Sequence, residues 1–208
     1  MSTEVLTYES PLLGENTYLV RDISTGRVAI IDPGTINEEI ISQIGNKENL
    51  KYVILTHAHY DHFFAGQDYV SMFPNAKFVG PAGETYLMSK DCSNVYVGRN
   101  ITCPDCPKCD VLVTEDDKLN LGETIIHFIN TPGHTEGGMC VLIDDKLFSG
   151  DTLFRLSVGN TSFETGNFEQ LANSIREKLY ILEDNITVYP GHGPTTTIGY
   201  EKKANPFV

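Results

Sequence analysis

Residues 56–62 have the sequence Thr-His-Ala-His-Tyr-Asp-His and directly follow the apolar run Tyr-Val-Ile-Leu at 52–55. The run is short enough for a buried strand, so the histidines and the aspartate are predicted to lie at the carboxyl end of a strand. Side chains two positions apart in an extended segment point the same way, which favours convergence of His57, His59 and Asp61, with His62 turned elsewhere. One metal ion would not use all four side chains, whereas two ions would. The stretch therefore predicts a metal site that needs further ligands.

Three later segments also place a metal-binding side chain after an apolar strand and beside glycine or proline. They contain His134, Asp151 and His192. Glycine and proline put each of these side chains on a tight loop rather than inside a regular element. Of the six histidines in the chain, only His127 falls elsewhere, in a predicted strand where an ordinary structural role is the simplest interpretation. The pattern predicts a metal centre with seven candidate ligands, namely His57, His59, Asp61, His62, His134, Asp151 and His192.

The order of the predicted elements is typical of an α/β protein. Strands are predicted near residues 4–8, 16–21, 27–31, 52–55 and 76–79, with helices after Asn37, from about His62 to Phe73, and from Pro81. More strands follow at 111–113, 118–121, 123–129, 138–143, 146–148 and 186–189, with a helix over 168–182. Two mixed sheets with helices outside would bury the apolar faces. We therefore expect a single domain over residues 1–208, folded as an αββα sandwich of two mixed β-sheets flanked by helices.

Charge and hydropathy narrow the classes of partner. With a formal net charge of −13, binding to nucleic acid or to an anionic membrane would need a local basic patch, and the sequence contains none. The first residues lack the basic start and apolar run of a secretory signal, and no window reaches the ~18 unbroken apolar residues of a membrane span. We expect a cytoplasmic protein that acts on a small molecule. Its oligomeric state is not indicated.

A segment rich in cysteine interrupts the pattern at about residues 91–110, which we interpret as a loop or insertion. Cys92, Cys103, Cys106 and Cys109 are candidates for a separate structural metal site, although the two Cys-x-x-Cys steps share their middle cysteine. Free thiols in an exposed loop, or an occasional disulfide, are the alternatives. Cys140, in an apolar strand, is most simply a small buried hydrophobic residue.

Four segments together resemble the metallo-β-lactamase superfamily and, within it, the glyoxalase II branch of hydroxyacylglutathione hydrolases and their short relatives. They are residues 56–62, 131–135, 148–154 and 189–194. The resemblance implies a first metal ion held by His57, His59 and His134. It implies a second ion held by Asp61, His62 and His192, with Asp151 as the bridge. Asp151 stands where zinc β-lactamases commonly have cysteine, which argues against antibiotic hydrolysis, and His59 in place of a carboxylate argues against the di-iron flavoprotein branch.

The activity that this resemblance implies is hydrolysis of a thioester such as S-lactoylglutathione, by attack of a hydroxide that bridges two divalent ions. Zinc is the first expectation, with iron or manganese as alternatives because the same nitrogen and carboxylate ligands accept them. Asp61 would be both ligand and catalytic residue, since its carboxylate can orient the nucleophile. Asp32 is a candidate partner of a metal ligand, or a turn residue before Pro33.

Alternatives remain open on the same motifs. Persulfide dioxygenases resemble the motif set but bind a single iron and oxidise a sulfur substrate. Lactonases share the fold. A non-enzymatic protein that only binds metal is the third alternative. The substrate is less constrained than the metal centre. The chain resembles full-length glyoxalase II only through the catalytic domain, without its helical C-terminal domain. The branch usually has a basic residue where this chain has Asn160, and Arg155 is either its substitute or a surface arginine.

Overall fold

The computed structural model describes residues 3–89 and 104–208, which include two six-stranded sheets. The first sheet consists of β1 (Thr3–Glu9), β2 (Asn16–Asp22), β3 (Val28–Ile31), β4 (Leu50–Ile54), β5 (Lys77–Pro81) and β6 (Val111–Val113). These strands lie side by side in chain order. The first two pairs are antiparallel and the next three are parallel, so the sheet is mixed.

The second sheet consists of β7 (Lys118–Leu121), β8 (Thr124–Asn130), β9 (Met139–Ile143), β10 (Lys146–Gly150), β13 (Thr187–Pro190) and β14 (Thr196–Thr197). Its order is β14-β13-β10-β9-β8-β7. Only the β10–β13 pair is parallel among these strands, so this sheet is mixed as well. A small hairpin of β11 (Leu153–Phe154) and β12 (Ser157–Val158) follows β10.

Six α-helices accompany the sheets in the described part of the chain. They are α1 (Glu38–Ile44), α2 (Tyr60–Phe63), α3 (Gly66–Met72), α4 (Thr85–Met88), α5 (Phe168–Ser174) and α6 (Ile198–Ala204), and Ile175–Leu179 continues α5 as a π-helix. The helices α1 and α3 lie on the outer face of the first sheet, and α5 and α6 lie on that of the second. The helix predicted after Asn37 is α1, and Asn37 caps it, because the Ile40 amide donates to Asn37 Oδ1 at 2.9 Å.

Alternation along the strands explains the layers. In β2, Tyr18 and Val20 face the second sheet and pack with Phe128 and Val141, whereas Leu19 faces the helices α1 and α3. The outer face of the second sheet packs against α5 and α6 in a separate apolar cluster. The αββα sandwich predicted from the sequence is therefore confirmed. Within the described ranges, no helix has the length and apolar character that a membrane span requires.

The single helix predicted from about His62 to Phe73 is wrong, because the structure divides this region into α2 and α3. The amide of Ala65 donates to the carbonyl of Pro33 at 2.8 Å instead of to Asp61, four residues back in its own helix. This long-range bond ends α2 directly after the ligand stretch. Asp61 lies in the first turn of α2.

Two other helix limits differ from the prediction. The helix predicted from Pro81 begins at Thr85, because Gly80 and Pro81 still pair with β6 and a 3₁₀ turn at Ala82–Glu84 follows. The helix predicted over 168–182 ends at Leu179. There the Tyr180 amide donates to the carbonyl of Ile175, five residues back, and the chain turns away.

Candidate metal centre

Loops from both sheets meet at one end of the sandwich and bring all seven predicted ligands together. The stretch 56–62 follows β4 of the first sheet, and the other three ligands follow β8, β10 and β13 of the second. Three overlapping groups have their ligand atoms within 4.8 Å of one another: His57, His59 and His134; His57, His62 and Asp151; Asp61, His62 and His192. The first and third groups are the two ligand sets that the resemblance implies. His127 lies in β8, outside all three groups.

Asp151 stands between the two sets. Its Oδ1 is 3.4 Å from His62 Nε2, while its Oδ2 is 3.5 Å from His134 Nε2 and 3.8 Å from His192 Nε2. One carboxylate thus faces histidines of both sets, which is the position that a bridging ligand needs. His192 Nε2 also lies 3.4 Å from Asp61 Oδ2, so the third group is compact.

Backbone carbonyls orient two of the imidazoles. His134 Nδ1 lies 2.7 Å from the carbonyl oxygen of Asn160, and His192 Nδ1 lies 2.9 Å from that of Gly14. A carbonyl can only accept, so each Nδ1 carries the proton and donates it. The lone pair of Nε2 is then left facing the other ligands, which is the arrangement of a metal-binding histidine.

Asp32 orients two more imidazoles, that of His62 directly and that of His57 through Thr56. Its Oδ2 accepts a hydrogen bond from His62 Nδ1 at 2.9 Å and another from Thr56 Oγ1 at 2.8 Å. Because the Thr56 hydroxyl donates to Asp32, its oxygen is available to accept from His57 Nδ1 at 3.1 Å. The Thr56 amide donates to Asp32 Oδ1 at 2.8 Å, which holds the carboxylate in place. Asp32 therefore holds His57 and His62 with their Nε2 atoms directed at the other ligands, where a metal ion would bind.

The electrostatics of the first set favour neutral imidazoles. Burial, followed by the charges of neighbouring histidines, lowers the pKa of His57 well below its usual range and the pKa of His59 to about 4. Burial also lowers the pKa of His134, against the opposing effect of Asp151. Neutral histidine is the form that binds a metal ion.

The second set attracts positive charge. Burial opposes protonation of His62, but the carboxylates of Asp32 and Asp151 outweigh it and raise its pKa well above the usual range. Burial raises the pKa of Asp151, but the charge of His62, 3.4 Å away, and of the other neighbouring histidines outweighs burial and lowers it, so this carboxylate is ionised. The surplus of carboxylates at this position therefore favours a bound cation.

Unpaired buried atoms test whether a metal fits. Among the described residues, His57 Nε2, His62 Nε2 and Asp151 Oδ1 are buried and have no hydrogen-bond partner. Burying such atoms without a partner is costly, and all three point toward the other ligands. A set of nitrogen and carboxylate oxygen donors suits zinc, iron and manganese. The residues present therefore fit a divalent metal centre.

A cavity of about 230 Å³ opens onto the ligands. His59, Asp61, Asp151 and His192 line its floor, and its walls include Leu13, Tyr60, Asn160 and Phe163. Asn160 thus contributes its carbonyl to His134 and lines the cavity. Arg155 lines a different cavity with Thr187 and Thr196, where its guanidinium lies over the Tyr200 ring at 5.9 Å.

The cysteine segment is described only in part. Cys92 and Cys103 lie outside the described residues, so the four-cysteine site stays a prediction. Cys106 and Cys109 are half-buried against the core, where burial raises their pKa values to about 12 and about 11. Within the described ranges, neither cysteine belongs to a group of three ligand atoms. Cys140 is buried in β9, as predicted.

Two buried carboxylates beside the ligand loops were not predicted to have a functional role. Glu15 is fully buried, and its backbone pairs with His192. Burial raises the pKa of its carboxyl group well above the usual range. Glu84 is fully buried between two ligand loops. The sequence offers no signal for either, because Glu15 precedes an ordinary strand and Glu84 reads as a residue in the first turn of a helix.

Known proteins resemble this chain in sequence and in structure. The family model of the metallo-beta-lactamase superfamily matches residues 11–192. A probable metallo-hydrolase of Streptococcus pyogenes serotype M6 is 37% identical over 205 residues, which cover 94% of this chain and 86% of the relative. The hydroxyacylglutathione hydrolase GloC of Haemophilus influenzae is 33% identical and covers 86% of each chain. The crystal structure of the BLEG-1 B3 metallo-beta-lactamase is 29% identical, with a TM-score of 0.86 over 98% of this chain and 99% of that one.

Proposed function

The chain belongs to the metallo-β-lactamase superfamily, and we propose that it is a thioester hydrolase that uses two divalent metal ions. The observation that carries the proposal is the pair of three-residue ligand sets with Asp151 between them. In this scheme His57, His59 and His134 hold one ion. Asp61, His62 and His192 hold the other, and Asp151 contacts both. Zinc is the proposed metal, with iron and manganese as alternatives.

Bound divalent ions would supply a water molecule of lowered pKa and an electrophilic partner for a carbonyl oxygen. The protein contributes orientation and charge. Asp61 lines the cavity, and a carboxylate oxygen there can accept a hydrogen bond from the attacking water and orient it. Asp32 and the carbonyls of Gly14 and Asn160 hold the imidazoles in the required orientation.

The cavity suits a small acyl group. Leu13, Tyr60 and Phe163 supply apolar walls next to the carboxylates, and Phe163 lies edge-on to His59 with ring centroids 5.3 Å apart. We propose a glutathione thioester such as S-lactoylglutathione as the first substrate to test, since a relative named as a hydroxyacylglutathione hydrolase aligns over most of the chain. Asn160 is neutral and could contact a substrate only by hydrogen bonding.

The test is a panel of substrates on protein whose metal content has been measured. It includes S-lactoylglutathione, a neutral small-molecule thioester, a lactone, a β-lactam, and a persulfide with oxygen uptake recorded. We expect two metal ions per chain and thioester hydrolysis without oxygen consumption. Asp151→Ala should lose the activity, because it removes the carboxylate shared by both sets. Hydrolysis at the parent rate by Asp151→Ala, or oxygen uptake with one iron per chain, would contradict the proposal.

A second variant tests separately whether the substrate is a glutathione thioester. Asn160→Lys places a cation at the cavity wall, and a charged hydrogen bond to a substrate carboxylate is worth about 1.5–3 kcal/mol, roughly a tenfold or greater decrease in KM. We expect this decrease for S-lactoylglutathione and no change for the neutral thioester. An equal change for both substrates would mean that glutathione carboxylates do not approach residue 160.

A further inference from the structure

Glu84 joins the two loops that carry the first ligand set. It is fully buried in the 3₁₀ turn between β5 and α4. Its Oε2 accepts a hydrogen bond from the amide of Ala58 at 2.8 Å, and its Oε1 accepts one from the amide of Gly137 at 2.7 Å. Ala58 lies between His57 and His59, and Gly137 follows His134 by three positions. One carboxylate therefore connects the two segments that must meet around a metal ion.

The backbones at this point are in close contact. A Cβ atom on Gly137 would lie 2.0 Å from the carbonyl carbon of Gly83, and one on Gly83 would lie 2.8 Å from the Cα of Gly137. The turn before Glu84 thus rests directly on the loop after His134. This contact leaves little freedom for the Glu84 carboxylate to shift without moving that loop.

Both oxygens of Glu84 act as acceptors, and this defines what a substitution would change. Burial raises the pKa of Glu84, and the two amide hydrogen bonds oppose that increase. A glutamine has nearly the same shape but turns one acceptor into an NH₂ donor. The NH₂ group of the glutamine would then face the amide of either Ala58 or Gly137, and two donors cannot form a hydrogen bond. Only one of the two loops would therefore stay hydrogen-bonded to residue 84.

We propose that Glu84 is a positioning residue that sets the distance between His134 and the pair His57 and His59, and so the affinity of the first metal site. This inference rests on the proposed metal centre. Glu84 itself is outside the three ligand groups and acts only through the backbone of the ligand loops. Substitution of residues that orient metal ligands typically costs about 10- to 100-fold in affinity.

Glu201 provides a matched control. It is also fully buried: its Oε2 accepts hydrogen bonds from the Leu156 amide at 2.9 Å and from Asn205 Nδ2 at 3.0 Å, and its Oε1 accepts one from Thr196 Oγ1 at 2.5 Å. These partners belong to the β11–β12 hairpin, to β14 and to the end of α6, away from the loops at 56–62 and 131–139. Glu201→Gln therefore removes a comparable buried acceptor and leaves the first ligand set in place.

The experiment is a cobalt titration of metal-free protein, followed by absorption spectroscopy and by competition with a chelator. His59→Ala and His192→Ala identify the spectra of the first and second sites. We expect Glu84→Gln to weaken, by about tenfold or more, only the site that His59→Ala abolishes. Glu201→Gln should lower the unfolding temperature and leave the ratio of the two affinities unchanged.

Several results would overturn the inference. Glu84→Gln could weaken both sites equally and lower the unfolding temperature as much as Glu201→Gln does. That result would show that Glu84 supports only the fold. If Glu84→Gln does not fold, Glu84→Asp keeps the charge but is one methylene too short to reach both amides, and unchanged first-site affinity in it would refute the idea. A wild-type chain that binds one cobalt ion at the first site would contradict the binuclear proposal alone. A wild-type chain without the His59-dependent spectrum would refute both.

Discussion

At the scale of single residues, Asp32 supports two of the candidate ligands, because it sets the orientation of His62 directly and of His57 through Thr56. In Asp32→Asn, an NH₂ group would replace one of the two acceptor oxygens. We expect metal affinity to fall by about 10- to 100-fold, with the larger loss at the second site. Metal-binding titrations of the purified variant measure this loss.

Asp22→Asn is the control for this prediction. Asp22 is equally buried and accepts several hydrogen bonds, but it lies at the end of β2 and contacts turns that are remote from the ligands. It should reduce stability and leave metal affinity unchanged. Equal metal affinities in Asp32→Asn and the wild type would show that the Asp32 contacts are unimportant once metal is bound.

Gly191 is needed for a steric reason. A Cβ at this position would lie 2.2 Å from Asp151 Oδ1 and 2.6 Å from His62 Cε1. We expect Gly191→Ala to fold but to bind metal at least about tenfold more weakly, because the shared carboxylate must move. Metal content after dialysis against a weak chelator is the measurement.

Gly193→Asn provides the comparison for Gly191→Ala. Gly193 has a φ of 75° and open space around it, and asparagine tolerates that conformation. Its metal content should therefore match that of the wild type. A similar loss in both variants would indicate that the loop backbone, rather than the contact with Asp151, is responsible.

At the scale of elements, the carboxylate of Asp22 ties together two turns. Its Oδ1 accepts from the Thr25 amide at 2.8 Å, and its Oδ2 accepts from Thr124 Oγ1 at 2.7 Å, so the β2–β3 turn of one sheet is joined to the β7–β8 turn of the other. We expect Asp22→Asn to lower the free energy of unfolding by about 1–3 kcal/mol, because donors would lose a buried acceptor. Urea denaturation at pH 7 tests this.

The contribution of Asp22 also depends on pH. Burial raises the pKa of its carboxyl group, but the hydrogen bonds from Ser24, Thr124 and Thr25 outweigh burial and lower it. A folded-state pKa below the unfolded value of about 3.9 means that the stabilisation is complete above that pH and is lost as the pH falls below it. The difference between wild type and Asp22→Asn should therefore shrink in acid. A difference that is constant from pH 7 to pH 3 would contradict this account.

The elements also show where sequence patterns are sufficient. Apolar periodicity predicted most strands to within two residues, because alternation reports which face of a strand is buried. It failed between His62 and Phe73, since the break depends on the carbonyl of Pro33, about 30 positions earlier in the chain. A hydrogen-bond acceptor that is distant in the chain leaves no pattern in the local sequence. One such hydrogen bond is enough to divide a short helix.

At the scale of the whole molecule, the candidate ligands could be predicted from the sequence, whereas the groups that orient them could not. The seven candidate ligands stand out because their residue types are specific and each lies at a strand end beside a turn. Their supports do not stand out: the carbonyls of Gly14 and Asn160 act through the backbone, and Glu84 acts on the amides of Ala58 and Gly137. Such groups become visible only when the two sheets are packed together.

That packing makes the candidate metal centre a link between the sheets. His57 to His62 come from the end of β4 in the first sheet, and His134, Asp151 and His192 come from strand ends in the second. A ligand that binds only the folded state stabilises it by about 4 kcal/mol at a thousandfold excess over Kd. For a chain of 208 residues, we expect chelation to lower Tm by about 10 °C. Differential scanning calorimetry with and without chelator measures the shift.

The double variant His59→Ala/His192→Ala, which lacks a ligand in each set, should show no chelator-dependent shift. If the wild type loses its metal without a change in Tm, the ions do not hold the sheets together, and the fold itself positions the ligands.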